Sequence, residues 1–339
     1  MTDPWYAERR KWSGRAARPY LPREEEPHMT ATELTRDAAE AVAWPRKTRD
    51  LHNHHMDSTI WDRFAFRDDD VIVATYGKSG TTWTQQIVGQ LVFAGREDIS
   101  IHEISPWLDL RIMPPEIMGM LEAQEHRRVV KTHLPLDALT FSPKAKYLYI
   151  GRDGRDVLFS LYNHHARANQ LFYDVINGTP GLQGAPLDRP DPDINRYFRT
   201  WVNENGKPFW PYWENIRTWW AARDLPNVKL VHFADLKADM EGQMRAIADF
   251  LGCEIDEAQW PKILTHCSFE WMKANAERMS PLGGAIFEGG AQDFINKGTN
   301  GRWKDVLTAE EIAAYEQKAV EELGPECAAW LKSGTLAKA

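Results

Sequence analysis

Four short runs rich in β-branched and aromatic residues, separated by helix-like segments, constrain the fold of this chain most strongly. The runs are DVIVATY (70–76), RRVVKTH (127–133), KAKYLYI (144–150) and NVKLVHF (227–233). The stretches TTWTQQIVGQLVFA, RDVLFSLYNHHA and MRAIADFLG, which lie between or after these runs, have helical patterns. Nearly continuous apolar strands that alternate with helices are typical of a parallel sheet covered on both faces. The sequence therefore predicts an α/β fold.

The charge balance restricts the partners. The 339 residues carry 49 acidic and 41 basic side chains, a formal net charge of -8, which argues against nucleic acid as a partner. The sequence has no run of 18 or more apolar residues and no apolar N-terminal signal, so it predicts a cytoplasmic protein without membrane insertion. Three widely spaced cysteines without a CxxC pair predict reduced thiols rather than disulfides or a zinc site.

The distribution of residue types predicts the domain organisation. Residues 1–43 are expected to form an N-terminal arm and one helix, and residues 44–335 a single domain. Segment 170–197 is rich in Gly, Pro and Asp, which predicts a loop that is either functional or disordered, with a flap over the site favoured. The tryptophan-rich stretch 201–220 is interpreted as core packing or as the wall of an apolar pocket, with core favoured.

The stretch TYGKSGTTW (75–83), between the first run and a helix, predicts an anion site. A loop that leads from a strand to a helix presents backbone N–H groups and the positive helix end to a ligand. Gly77 and Gly80 allow close approach, and Lys78 adds charge. A Walker A loop would require glycine where the chain has Ile72, so the loop is too short for a nucleoside triphosphate. Considered alone, the loop could also be a polar strand–helix turn without a ligand.

Two further segments strengthen the prediction of a site. In KTHLP (131–135), Lys131 and His133 share one face at a strand's carboxyl end, which makes His133 a candidate general base. The stretch YLYIGRDGRDVLFSLYNHH (147–165) predicts a strand, a turn and a helix capped by Asp153. Its Arg152 and Ser160 could hold a second phosphate, although Arg152 could instead pair with a nearby Asp.

With these segments together, the chain resembles the cytosolic, PAPS-dependent sulfotransferases. That family has a TYPKSGTTW loop, a KTHLP segment, a YxxRxxxDxxxSxY element and an RKGxxGxW loop, and the last of these corresponds to FINKGTNGRWKDVLT (294–308). The resemblance runs from about Trp44 to the C-terminal helix. It implies a three-layer αβα fold with a central parallel sheet, similar to P-loop nucleoside triphosphate hydrolases. It also implies transfer of a sulfuryl group from PAPS, 3′-phosphoadenosine 5′-phosphosulfate, to a hydroxyl or amine of a small, apolar or aromatic acceptor.

The resemblance also implies roles for individual residues. His133 would be the general base, and Lys78, helped by Lys131, would stabilise charge on the leaving oxygen. The residues implied for PAPS binding are Lys78, Ser79, Gly80, Thr81, Thr82, Trp83, Arg152, Ser160, Phe233, Cys267, Ser268, Phe269, Met272, Phe294, Asn296, Lys297 and Gly298. No metal is implied. The histidine-rich stretch LHNHHMD (51–57) is interpreted as a polar lip of the acceptor pocket or a surface turn rather than a metal site.

Four departures from the family pattern stand out. Gly77 replaces a proline and is expected to loosen the loop, and Asn296 replaces an arginine that binds the 3′-phosphate. Phe233 replaces a tyrosine. The family's dimer motif, KxxxTVxxxE, is broken at Ala309 and Ala313, so the oligomeric state stays open. Two alternatives to a sulfotransferase are a small-molecule kinase and a catalytically silent nucleotide-binding module.

Overall fold

The computed structural model describes residues 42–335. The arm and helix predicted for residues 1–43 therefore lie, apart from the last two residues, outside the described part of the chain. The four predicted strands are confirmed as β1 (Val71–Thr75), β2 (Val129–Thr132), β3 (Lys146–Gly151) and β4 (Val228–His232). They form one parallel sheet in the order β2-β1-β3-β4.

The strand order creates a switch point between β1 and β3. Ile72 of β1 pairs with Val130 of β2 on one side and with Tyr147 of β3 on the other. The chain leaves β1 toward one edge of the sheet and leaves β3 toward the opposite edge. In open α/β sheets, ligands bind in the crevice outside the carboxyl ends of strands at such a point. The loops that follow β1 and β3 are therefore the expected walls of a site.

Helices cover both faces of the sheet. Within residues 42–335 the α-helices are α1 (Thr81–Val92), α2 (Ile101–Ile104), α3 (Ile117–Glu122), α4 (Gly154–Arg167), α5 (Gln170–Gly178), α6 (Ile194–Asn203), α7 (Tyr212–Ala221), α8 (Phe233–Ala238), α9 (Met240–Leu251), α10 (Trp260–Cys267), α11 (Phe269–Ala274), α12 (Ala276–Met279), α13 (Ala291–Phe294), α14 (Ala309–Leu323) and α15 (Pro325–Ser333). Short 3₁₀ helices lie at Ser58–Arg63, Leu136–Ala138, Glu257–Gln259, Pro281–Gly284 and Arg302–Asp305. None of the α-helices in this part of the chain has the length and apolar character needed to cross a membrane.

The side chains of each strand point alternately to the two faces of the sheet, so the apolar core has two layers, one on each face. Val71 and Val73 of β1 pack with residues of α1, α9 and α10 on one face. Ile72 and Ala74 pack with residues of α4, α7, α14 and α15 on the other. Because successive strand residues point to opposite faces, a strand buried on both sides appears in the sequence as one continuous run of apolar residues. This arrangement confirms the predicted three-layer αβα fold.

The loop predicted for segment 170–197 is wrong at both ends. Residues Gln170–Gly178 form α5, which Asn169 caps by accepting a hydrogen bond from the Phe172 N–H, and α6 begins at Ile194. Phe172 and Ile176, four residues apart on α5, are buried. This helical spacing was obscured by the Gly and Pro residues that follow it, and only the stretch between α5 and α6 is irregular. The predicted cap of α4 is confirmed, since the Asp153 side chain accepts from the Arg155 N–H.

Candidate active site

A cavity of about 1230 Å³ opens at the carboxyl ends of β1 and β3. It is lined by residues from every segment in which the sequence analysis placed a site. The sequence-predicted residues that line it are Lys78, Gly80, Thr81, Thr82, Trp83, Lys131, His133, Arg152, Ser160, Phe233, Phe269, Met272, Phe294, Asn296, Lys297 and Gly298. Residues far apart in sequence therefore meet at the switch point of the sheet.

Three of the residues predicted for donor binding do not line this cavity. The Cys267 side chain is buried in the apolar core, and its carbonyl oxygen accepts a hydrogen bond of 2.8 Å from the Trp83 indole. The Ser268 hydroxyl caps α11 by accepting from the Trp271 N–H at 3.2 Å. These two residues position Trp83 and α11, and their side chains do not face the cavity. The Ser79 hydroxyl is buried and has no hydrogen-bond partner within residues 42–335.

The backbone of the loop after β1 is shaped to hold an anion. Lys78 has a φ of 66°, in the left-handed region that non-glycine residues rarely adopt. Gly80 has a φ of 113°, and a Cβ there would lie 2.7 Å from the Phe233 ring. Helix α1 begins directly afterwards at Thr81, so the unpaired N–H groups of its first turn lie next to the cavity. Left-handed residues before a helix N-terminus form the concave N–H arrangement that binds phosphate groups.

Gly77 has a packing role that the sequence analysis missed. A Cβ at this position would lie 3.1 Å from Cζ2 of Trp210, so any other residue would require the indole to shift by a few tenths of an ångström. The same indole stacks on the His133 ring at a centroid distance of 5.6 Å. The expected loosening of the loop is therefore replaced by a tight contact with Trp210, which covers the loop and the imidazole together.

Three cations are crowded around the cavity. Burial, followed by the positive charges of Lys131, Arg152 and Arg302, lowers the pKa of Lys78 to about 7. Burial likewise lowers the pKa of Lys131 to about 8 and that of Arg152 to about 10. A bound polyanion would remove this repulsion and return each of the three cations toward its ordinary pKa. The site is therefore built to attract a multiply charged anion.

His133 is held in one tautomer. Its Nδ1 lies 2.8 Å from the Thr75 carbonyl oxygen, which only accepts, so Nδ1 carries the proton and Nε2 has the lone pair. The Thr75 hydroxyl lies 3.1 Å from the same Nδ1 and 2.7 Å from the Thr81 hydroxyl, which joins the imidazole to the start of α1. Burial and the Lys131 charge hold the pKa of His133 well below its ordinary value, so the ring is neutral near pH 7. A neutral imidazole with a fixed Nε2 lone pair is suited to act as a general base.

Arg152 links the loop after β1 to the C-terminal loop. Its guanidinium donates to the Lys78 carbonyl at 3.0 Å, to the Thr299 carbonyl at 3.2 Å and to Asn300 Oδ1 at 2.9 Å. It also lies 4.2 Å from the centroid of the Phe233 ring. The alternative in which Arg152 pairs with an Asp is not what the structure shows, since its hydrogen bonds go to neutral oxygens. Most of its donors are occupied by protein, so a ligand phosphate here needs further cations.

Two residues that were not predicted from the sequence, Arg302 and His164, add a positive charge and a polar ring to this part of the cavity. Arg302 lines the cavity, and its charge contributes to the lowered pKa of both Lys78 and Arg152. His164 lies one helical turn after Ser160, and its Nδ1 is 3.4 Å from Lys78 Nζ. The signals in the sequence were an arginine inside the RKGxxGxW-like loop and a histidine four residues beyond Ser160 on the same helix face.

The other half of the cavity is apolar. It is walled by the start of α3 and the residues before it, by α5 and by the segment before α7, through Met113, Ile117, Phe172, Phe209 and Trp210. Both interpretations of the tryptophan-rich stretch are correct for different residues, since other tryptophans, among them Trp201, Trp213 and Trp219, are fully buried in the core. An apolar chamber next to a fixed base can hold the body of a second substrate.

The histidine-rich stretch 51–57 lies partly inside this apolar half. His52 pairs with Asp57 at 3.2 Å near the surface, whereas His54 and His55 are buried and only His55 lines the cavity. In the described part of the chain, no group of three or more His, Cys, Asp or Glu side chains is arranged to hold a metal ion.

Comparison with known proteins gives the context for this geometry. A family model described as "Sulfotransferase domain" matches residues 68–324. A glycolipid sulfotransferase of Mycobacterium bovis is 29% identical over 82% of this chain and 92% of the relative, and sulfotransferase 1C2 of Oryctolagus cuniculus is 31% identical over 72% and 80%. A mouse sulfotransferase complexed with PAP has a TM-score of 0.62 at 19% identity, covering 82% of this chain and 94% of that one. Retinol dehydratase in complex with androsterone and inactive cofactor PAP has a TM-score of 0.59 at 24% identity, covering 78% and 83%.

Proposed function

The chain belongs to the sulfotransferase domain family, and we propose that it transfers a sulfuryl group from PAPS to a hydroxyl or amine of a small acceptor with an apolar or aromatic body. The observation that carries this proposal is the meeting, in one cavity, of a cationic phosphate loop, a second cationic site and a fixed imidazole. The solved structures of similar fold that hold PAP support the choice of donor.

The residues of the site fit a donor with two separate anionic groups. The loop of Lys78 and the first turn of α1 suit the 5′-phosphosulfate, because N–H groups and the positive helix end meet there. The 3′-phosphate is assigned to Arg152, Ser160, Lys297 and Arg302, all on the cavity wall. PAPS brings the sulfuryl group already attached to a phosphate that leaves readily. The crowded cations of the protein stabilise the charges of such a donor.

The proposed reaction is direct transfer. His133 accepts the proton of the acceptor hydroxyl at Nε2, while the acceptor oxygen forms a bond to sulfur. The bond between sulfur and the bridging oxygen breaks, and its electron pair stays on the 5′-phosphate. Lys78 and Lys131, whose ammonium groups line the same cavity, stabilise that charge. His133 then holds the transferred proton on an imidazole that burial and nearby cations make acidic, so it releases the proton readily.

The acceptor is assigned to the apolar half of the cavity. Aromatic and aliphatic walls beside the base favour a molecule whose body is apolar and whose nucleophile is a hydroxyl or an amine. The names of the similar proteins, which mention a glycolipid and retinol, are compatible with such an acceptor. The cytoplasmic location and the single domain over residues 44–335 stay predictions, and the oligomeric state stays open.

Adenosine 3′,5′-bisphosphate is expected to raise the melting temperature by several degrees, and ATP is expected not to. A ligand stabilises only the folded state that binds it, by about 2.7 kcal/mol at a concentration of roughly 100 times its Kd. A thermal-shift measurement with both nucleotides, with and without Mg²⁺, tests this expectation. Equal shifts from the two nucleotides would favour the kinase alternative, and no shift from either would remove the donor assignment.

Replacing Arg302 with alanine is expected to weaken adenosine 3′,5′-bisphosphate binding by roughly 10-fold or more, the usual effect of losing a hydrogen bond to a charged group. Adenosine 5′-phosphosulfate, which lacks the 3′-phosphate, should bind the variant no more weakly than the wild type, because loss of the Arg302 charge only favours the charged form of Lys78. Titration calorimetry with each ligand gives the comparison. The Arg152→Ala variant should weaken both ligands, because Arg152 also holds the carbonyl of Lys78.

Asn296→Arg serves as the matched rescue. Introduced into the Arg302→Ala protein, it restores a cation to the same loop and should recover most of the lost affinity for the 3′-phosphorylated ligand. If Arg302→Ala weakens both ligands to the same extent, Arg302 does not contact the 3′-phosphate.

A further inference from the structure

His54 and His55 form a buried pair at the wall of the apolar half of the cavity. His54 Nε2 lies 2.8 Å from the Pro208 carbonyl oxygen, and His54 Nδ1 makes a short contact with His55 Nδ1. Both side chains are 5% exposed. The reaction proposed above uses neither of them. Two adjacent buried imidazoles beside a substrate chamber therefore need an explanation of their own.

The hydrogen bonds of the pair determine both tautomers. The Pro208 carbonyl only accepts, so the proton of neutral His54 is on Nε2 and its Nδ1 has the lone pair. His55 must then donate from Nδ1 to His54 Nδ1, which leaves the lone pair of His55 on Nε2. This Nε2 has no hydrogen-bond partner within residues 42–335. Burial, followed by the neighbouring imidazoles, holds the pKa of His55 well below its ordinary value, so the ring stays neutral.

His55 faces the same chamber as His133, across shared aromatic walls. The His55 ring lies 6.1 Å from Trp107 and 5.7 Å from Trp210, centroid to centroid. The His133 ring lies 4.5 Å from Trp107 and 5.6 Å from Trp210. Both imidazoles therefore contact the same two indoles, and all four side chains line one cavity. Phe172, which also lines the cavity, has its ring centroid 6.0 Å from that of His55.

On the basis of the sulfotransferase activity proposed above, we propose that His55 Nε2 accepts a hydrogen bond from a second hydroxyl or N–H group of the acceptor. The preferred acceptors are then diols or hydroxy-amines whose two polar groups are carried by one apolar ring or short apolar frame. His133 takes the proton of the group that is sulfated, and His55 holds the other. A carbonyl or ether oxygen in the second position is not favoured, because Nε2 of His55 has no proton to donate.

The test compares pairs of acceptors that are alike except that one member lacks the second O–H group. The three benzenediols and their monomethyl ethers are assayed with PAPS, since each ether keeps one hydroxyl and loses the second O–H. We expect at least one diol to exceed its ether in kcat/KM by about three- to tenfold, the effect of one net hydrogen bond. In His55→Phe that ratio should fall to the statistical value of about two, because a diol has two equivalent hydroxyls and its ether has one. The ratio is the measurement, because loss of folded enzyme lowers both rates alike.

A matched control is His126→Phe, at a histidine outside the cavity that contacts the Arg127 carbonyl at 2.9 Å, and this variant should keep the wild-type ratio. A ratio no larger than this statistical value for all three pairs in wild type, or a ratio that His55→Phe leaves unchanged, overturns the role of His55. If none of the six compounds or phenol is sulfated while PAPS binds, the proposed function fails instead.

A measurement on the unaltered protein provides a second test. Histidine side-chain ¹⁵N NMR distinguishes the two neutral tautomers, and His55 is expected to carry its proton on Nδ1. Assignment of the resonances uses the His55→Phe spectrum, or selective labelling if that variant does not fold. A proton on His55 Nε2 would contradict the proposal.

Discussion

The His133→Asn variant is expected to lose at least about 100-fold in kcat, the lower range for removal of a general base. The shorter amide can still donate to the Thr75 carbonyl, so the hydrogen bond that orients residue 133 is preserved and the Nε2 lone pair is lost. The affinity for adenosine 3′,5′-bisphosphate should change little, because the imidazole acts on the acceptor and not on the donor. Steady-state kinetics at saturating PAPS, together with calorimetry, measure both quantities.

A His133→Ala variant provides the comparison without the orienting hydrogen bond, and it should lose at least as much activity. Retention of more than about a tenth of kcat in either variant would remove His133 from the base role, since a smaller effect is below that of a general base. A parallel loss of donor affinity would instead indicate that Trp210, which stacks on the ring, has moved.

Lys78→Met is expected to lower kcat by about 10² to 10³, the usual effect of removing one preorganised group that stabilises charge in the transition state. The change keeps a long apolar stem beside Phe294, whose ring centroid lies 4.9 Å from the ammonium group. Lys78→Arg should recover part of the loss. If Lys78→Met raises the KM of PAPS and leaves kcat unchanged, the lysine binds the donor without stabilising the leaving oxygen.

The same lysine makes donor binding depend on pH. Burial and neighbouring cations lower the pKa of Lys78 to about 7 in the free protein, and a bound polyanion raises it, so binding takes up a proton. The contribution of Lys78 to the affinity for adenosine 3′,5′-bisphosphate is therefore full below about pH 7 and falls as the pH rises above it. In Lys78→Arg the decline should begin near pH 8, where Lys131 alone titrates. Titration calorimetry at pH values on both sides of these two pKa values measures the pH profile of the wild type and that of Lys78→Arg.

The fold could be predicted from the sequence because its determinants are local. Strands buried on both faces must be continuously apolar, and the four runs satisfied this over β1 to β4. The helix at Gln170–Gly178 was missed because its two inward residues are followed by Gly and Pro, whose turn signals were extended over it. Local composition therefore locates a helix or strand well only where the residue types change at the end of that helix or strand.

The site was predictable in part for the same reason. Lys78 lies in the loop after β1 and His133 directly follows β2, so their meeting follows from the topology of the sheet. The position of His55 does not, because it depends on packing between loops that are distant in sequence. Its tautomer depends on the Pro208 carbonyl through His54, a contact that no local pattern encodes.

The contact between Gly77 and Trp210 affects how sequences of this kind should be compared. A proline at 77 would bring its Cβ to 3.1 Å from the indole of Trp210, so the indole would have to shift by a few tenths of an ångström. The two positions are therefore expected to covary, with glycine at 77 favoured in chains that have the large ring at 210. A family search pattern that requires proline at position 77 would miss this chain, although the large indole at position 210 accounts for the glycine.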